Sequence, residues 1–248
     1  MLALYSEIPL SSTLSHEGRG GVWWHDRRIT NHQSRITGSM AEYKLYCMGE
    51  SGNSYKAALM LALTGADWEP VWVDFFGGET RQDKFRDGVS EMGEVPLLEH
   101  NGERISQSGV ILDYLAERTG QFGARSAQEK REIWRWILFD NHKFTSYFAT
   151  LRFMVGIQKT GESAVIEFLK GRAKSAYSIV DKHLVGRAFM LGERATIADI
   201  SMAGYLYYPE ETGFDRSVFP NVEAWAKRIS ALPGWKHPYD LMPRAPAR

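Results

Sequence analysis

The apolar positions of this chain change period repeatedly before residue 120 and keep a single period afterwards. Residues 43–48 read as a short strand, which Gly49-Glu50-Ser51-Gly52-Asn53 interrupts. Tyr55, Ala58, Leu59 and Ala62 then recur at helical spacing until Gly65 offers a stop. Residues 68–76, rich in Val, Trp and Phe, read as a second strand, and Gly77-Gly78 with the polar run 80–89 predicts a loop and a short helix. The runs Val95-Pro96-Leu97-Leu98 and Arg104-Ile105-Ser106 flank Asn101-Gly102, which predicts a type I′ hairpin because both central residues of that turn need positive φ. Pro96 cannot donate to a strand ladder, so it marks an edge, a bulge or a cis bond just inside the third strand. Ser108 can cap a helix whose Val110, Ile111, Tyr114 and Leu115 face the sheet, ending near Gly120. The expected order is β-α-β-α-β-β-α.

From 126 to about 240 the pattern is helical throughout. Ile133, Ile137, Phe144, Phe148, Leu151 and Val155 mark one face of a long helix, and Val165, Leu169, Ala173, Ala176, Val180 and Leu184 mark another. Two long antiparallel helices follow. Thr196-Ile197-Ala198-Asp199 reads as a capping box, in which the Thr196 hydroxyl and the Asp199 carboxylate satisfy backbone N–H groups reciprocally. Its role is structural. Residues 1–39 sustain neither period and read as a disordered extension through residue 40, with Met40 a candidate natural start; a mobile native tail is the alternative. Glu7, Glu17 and Asp26 argue against a targeting peptide there.

Composition narrows the function. Thirty basic residues balance thirty acidic ones without a Lys/Arg block, so a nucleic-acid partner is not expected. The one cysteine, Cys47, excludes an internal disulfide, a CxxC pair and a cysteine-based zinc site, and fits a reducing cytoplasm. No apolar run approaches the roughly 18 residues of a membrane helix, so no membrane partner is expected.

Four motifs in order, the Val95-Pro96 pair, Gln107-Ser108, the Thr196/Asp199 box and the 219–235 run ending Leu232-Pro233-Gly234-Trp235, resemble those of the glutathione transferases over residues 43 to 240. The resemblance implies an α/β thioredoxin-like N-terminal domain at 41–120 and an all-α C-terminal domain at 126–242. It further implies a detoxifying transferase, or a glutathione-dependent isomerase or dehalogenase, or a binding module that kept the fold and lost turnover. Its partners would be glutathione as co-substrate, a small apolar electrophile and a second copy of the chain in a homodimer; no metal is implied.

By the same resemblance the Val95 backbone pairs with the cysteinyl part of glutathione beside a cis Pro96, and Gln107 and Ser108 hold its γ-glutamyl end. Carboxylate binding at Ser108 is sensible, because free N–H groups and the helix dipole favour an anion there. Ser51 falls where serine-type classes carry the hydroxyl that ionises the thiol. Ser54 is the runner-up, and Asn53 stands where cysteine-type classes have cysteine; both are expected among the glutathione contacts. Cys47 lies near the tyrosine of other classes, but a lone strand cysteine reads as buried packing. Tyr46, one residue away, points to the opposite face and reads as scaffold. Trp136, Asp140, Phe144 and Tyr147, at near-helical spacing, are expected to line the electrophile pocket. Of these, Asp140 needs a partner or water. Glu94 departs from the Lys or Gln usual before the valine, and Gln82 and Lys84 lie in the segment expected to meet the glycyl carboxylate.

Overall fold

The computed structural model describes residues 41–246, so the expectations for the extension and for Met40 lie outside the described residues. Strands β1 (Tyr43–Cys47), β2 (Trp68–Trp72), β3 (Leu97–His100) and β4 (Glu103–Ser106) alternate with helices α1 (Gly52–Thr64), α2 (Asp83–Gly88) and α3 (Ser108–Thr119) in the expected order. The sheet runs β2-β1-β3-β4, with β1 parallel to β2 and antiparallel to β3, and β3 antiparallel to β4. This is a thioredoxin-like domain. The parallel pair is possible because α1 returns the chain between its strands, and the antiparallel pair closes through Asn101 and Gly102 at φ 51° and 80°.

Several boundaries differ from the sequence reading. β2 stops at Trp72, which frees Phe75 and Phe76 for a loop. The Val95-Pro96 bond is cis and precedes β3 rather than lying inside it. Ser108 is the first helical residue of α3, not its cap. Gln107 holds the cap position at φ 67°, ψ 115° without a side-chain capping bond. Val110 is 47 % exposed, so α3 buries Ile111, Leu112 and Leu115 instead of a face that includes it.

Ser51 caps α1 and Gly65, at φ 67°, ends it in the left-handed conformation. The helix is buried almost all round, because it lies between the sheet and the helical half of the molecule. Gly52 makes this contact possible. A Cβ there would sit 2.4 Å from the Tyr205 ring and 2.6 Å from the Gly204 carbonyl oxygen.

The helical half contains α4 (Ala127–Phe139), α5 (Thr145–Leu151), α6 (Ala164–His183), α7 (Ile197–Met202), α8 (Pro220–Ser230) and α9 (Pro238–Leu241). The expected first long helix is a helical run from 127 to 157 widened by π-helical turns at Asp140–Phe144 and Arg152–Ile157. One residue added by a π turn rotates everything after it by about 100°. In α6 the expected stripe is buried at Leu169, Ala173, Ala176 and Val180, and at Leu184 just past its end; only Val165 at its start faces outward, with Ile166 buried in its place. The capping box opens α7 as expected. Asp199 also accepts from Met190 N at 2.8 Å and Trp225 Nε1 at 2.9 Å, and burial pushes its carboxyl pKa up. Among the described residues no helix is long and apolar enough to cross a membrane.

Candidate functional site

Ser51 stands between the end of β1 and the start of α1, with its backbone N–H donating to the Met48 carbonyl at 3.1 Å. Its Oγ accepts from the Ser54 N–H at 3.2 Å, which is the capping bond. Among the described residues its own hydroxyl proton has no acceptor. Capping and chemistry are therefore compatible: one lone pair is used, and the O–H remains free beside the positive end of a helix.

Two cavities meet at Asn53, Glu94 and Val95. The smaller, about 230 Å³, is lined also by Pro96, Gln107, Ser108 and Asn141. The larger, about 390 Å³, takes in Ser51, Met48, Phe75, Phe76 and Phe153. A further cavity of about 530 Å³ shares Phe75, Phe76, Phe153 and Ile157 with it and extends to Arg81 and Arg244. One groove thus carries a polar end, a hydroxyl at its middle and an aromatic end.

The polar end contains unmatched polar groups. The Asn53 Oδ1 is buried without a hydrogen-bond partner among the described residues, at a cost of about 1–3 kcal/mol unless something donates to it. Ser108 is buried at the start of α3, where backbone N–H groups are free for an anion. Gln107 has a backbone conformation that non-glycine residues avoid, costing about 1–3 kcal/mol and characteristic of ligand clamps. Its amide donates to Glu94 Oε2 at 3.0 Å and to Met92 Sδ at 3.2 Å. The departure at Glu94 is thereby placed: its carboxylate steadies Gln107 and adds negative charge at this end.

Other expected site residues lie elsewhere. Ser54 is buried with an unpartnered Oγ and lines neither cavity. Trp136 is buried in the core, and Phe144 is buried and stacked on Tyr177 at 4.3 Å. Tyr147 takes a hydrogen bond from Arg172 at 2.9 Å on another face. Asp140 is wholly buried and accepts from Lys56 Nζ at 2.7 Å, Ser201 Oγ at 2.7 Å and Thr145 Oγ1, so it ties α1 to the helical half and does not line the pocket. These four residues therefore do not line the cavity at Ser51. Beyond the π turn at Asp140–Phe144, which breaks the regular helical phase, Ala149, Thr150, Arg152, Phe153 and Ile157 line it instead.

Gln82 and Lys84 are exposed and line no part of the groove, whereas Arg81, one residue earlier, does. Cys47 is buried, with its thiol pushed up to about 12 by desolvation, which fits packing and not nucleophilic attack. Tyr46 points to the alternate face of β1. Sequence reading missed Phe75, Phe76, Arg81, Arg152 and Phe153. A Phe-Phe pair against Gly77-Gly78 was the available signal for the first two.

Residues 41–117 match the family model "Glutathione S-transferase, N-terminal domain" and residues 144–233 match "Glutathione S-transferase, C-terminal domain". The crystal structure of a possible glutathione S-transferase from Rhodopseudomonas palustris is 33% identical, with a TM-score of 0.74 over 80% of this chain and 98% of that one. The chain belongs to the glutathione S-transferase family. Among curated relatives of this transferase, glutathione S-transferase F14 of Arabidopsis thaliana is 28% identical over 82% of this chain and 87% of its own. A glutathione transferase family member from Pseudomonas fluorescens, solved with two glutathione bound, is 26% identical with a TM-score of 0.70, over 78% of this chain and 90% of its own. The transferase fold thus accounts for the groove between the sheet-bearing and helical halves.

Proposed function

We propose that this family member is a glutathione transferase that ionises the glutathione thiol for attack on a small, largely apolar electrophile. The observation that carries the reading is one groove in which the Ser51 hydroxyl stands between the Val95, Gln107 and Ser108 corner and the Phe75, Phe76 and Phe153 surface. The Val95 backbone would pair with the cysteinyl unit, and Ser108 at the start of α3 would take the γ-glutamyl carboxylate, with Gln107 and Glu94 beside its ammonium. Asn53 Oδ1 would accept a donor from the tripeptide. Arg81 is our choice for the glycyl carboxylate: it lines the groove's continuation, and its guanidinium has no ion-pair partner among the described residues.

A free thiol with a pKa of about 8.5 is only a few per cent ionised near neutrality. A hydrogen bond from Ser51 to the thiolate, with the α1 dipole behind it, lowers that value. The sulfur then forms a bond to the electrophilic carbon as the leaving group departs with its electron pair, and the thiol proton passes to solvent. We further propose a homodimer, because Val110 on α3 and Leu138 on α4 are exposed apolar residues, and a cytoplasmic, detoxifying role. Light scattering tests the dimer. Retention on glutathione resin, together with turnover of a chlorodinitrobenzene that is lost in Ser51→Ala, tests the activity. Retention without turnover of any electrophile would instead identify a binding module.

A further inference from the structure

Arg152 is 2 % exposed and lines the Ser51 cavity, yet it was no part of the motifs that suggested the site. It is the first residue of the second π turn. All three of its guanidinium nitrogens are committed. Nη1 donates to the Glu50 carbonyl at 2.8 Å, Nε to Glu210 Oε2 at 2.9 Å and Nη2 to the Tyr239 hydroxyl at 3.1 Å. Its Cζ also lies 3.9 Å over the Tyr208 ring.

The same partners hold the loop directly. Tyr208 donates to the Gly49 carbonyl at 2.7 Å, the Gly49 N–H donates to the Pro243 carbonyl at 2.7 Å, and the Ala245 N–H donates to the Glu50 carboxylate at 3.2 Å. Tyr239 in turn donates to Glu210. Among the described residues the hydrogen bonds to residues 49 and 50 thus come from the helical half and the C-terminal segment, and Arg152 links Tyr208, Glu210 and Tyr239 to the Glu50 carbonyl. The next residue is Ser51. A planar fork with three fixed acceptors defines a backbone position to within fractions of an ångström, which a single flexible ammonium does not.

We infer that Arg152 is a positioning residue for thiol activation: by fixing the Glu50 carbonyl it fixes where the Ser51 hydroxyl points. The inference rests on the reading that glutathione binds with its sulfur beside Ser51. It assigns the helical half a part in the chemistry of the other half, with Glu210 and Tyr239 as its supports. Because Val95 and Ser108 hold the tripeptide independently, displacing the loop should separate catalysis from binding.

The test uses the full chain with Arg152→Met and Arg152→Lys. It measures glutathione affinity by calorimetry, kcat with a chlorodinitrobenzene, and the pKa of the bound thiol from its ultraviolet thiolate absorbance. Both variants are expected to bind glutathione within about threefold of wild type, to lose about tenfold or more in kcat, and to titrate about one unit higher. The Lys variant keeps the charge but not the fork. Full recovery of kcat in it would show that charge alone suffices and overturn the positioning role. Equal losses of affinity and kcat in both variants, or no loss in either, would also overturn it. Should Arg152→Met fail to fold, Arg152→Lys decides by the same criteria. A wild-type protein that neither binds glutathione nor responds to Ser51→Ala removes the underlying reading, whereas a responsive wild type with indifferent Arg152 variants removes this inference alone.

Discussion

Ser51→Ala removes two interactions whose sizes can be worked separately. The first is the cap: the Ser54 N–H, now at 3.2 Å from Oγ, loses its acceptor, which costs about 1 kcal/mol of stability. For a domain of this size that is a fall of about 2–4 °C in melting temperature. The second is the hydroxyl proton, free among the described residues to donate to a bound thiolate. A hydrogen bond to a charged acceptor is worth about 1.5–3 kcal/mol, and one pKa unit is about 1.4 kcal/mol, so its loss should raise the bound thiol by about one to two units. The helix dipole contributes about 0.3–1 kcal/mol and stays in place. Starting from about 8.5 in free thiol, the wild-type complex should titrate near 6–7 and the variant near 7.5–8.5. At a pH of about 6.5 the thiolate fraction, and with it kcat, then falls by about tenfold or more. Thiolate absorbance of the binary complex, titrated across that range, reads the shift without an electrophile. A variant complex that titrates within about 0.3 units of wild type would refute the assignment, whatever happens to its melting temperature.

Three further expectations follow from the described contacts. Lys56→Met strands the buried Asp140 carboxylate with, among the described residues, only the Ser201 and Thr145 hydroxyls as side-chain donors, and should cost about 3–5 kcal/mol in chemical denaturation; adding Asp140→Asn should recover part of that, since the uncompensated charge is gone. Arg81→Gln should raise KM for glutathione by about tenfold with kcat within about twofold, and the effect should shrink at high salt because Arg81 is exposed; an unchanged KM would remove it from the glycyl carboxylate. Cys47, with its thiol pushed up to about 12, should resist thiol reagents in the native protein and react only on unfolding. Its folded value exceeds that of the unfolded chain, so the stability it confers is complete below about pH 8.5 and lost as pH rises toward 12; Cys47→Ala should flatten that part of the decline.

Local signals in the sequence determined much of this protein. The hairpin at Asn101-Gly102, the start of α1 near Ser51 and the Thr196/Asp199 box are decided by residues within four positions of one another, because positive φ and capping bonds are local requirements. The order of elements followed from the change of period. The conjunction of Val95-Pro96 with Gln107-Ser108 was legible for the same reason, since one hairpin joins them.

What needed the tertiary structure was phase and partnership. Two π-helical turns without a sequence marker interrupt the helical phase after Phe139, and the residues that line the pocket are Arg152, Phe153 and Ile157, while Trp136, ahead of both turns, and Phe144 pack into the core. Asp140 read as a pocket carboxylate because its neutralising partner, Lys56, is 84 residues away and visible only after folding. Arg152 carried no signal at all, since its worth lies in reaching Glu50, Glu210 and Tyr239 from three separate parts of the chain. Periodicity reports which face of an element is apolar; which distant group that face meets is fixed by packing alone.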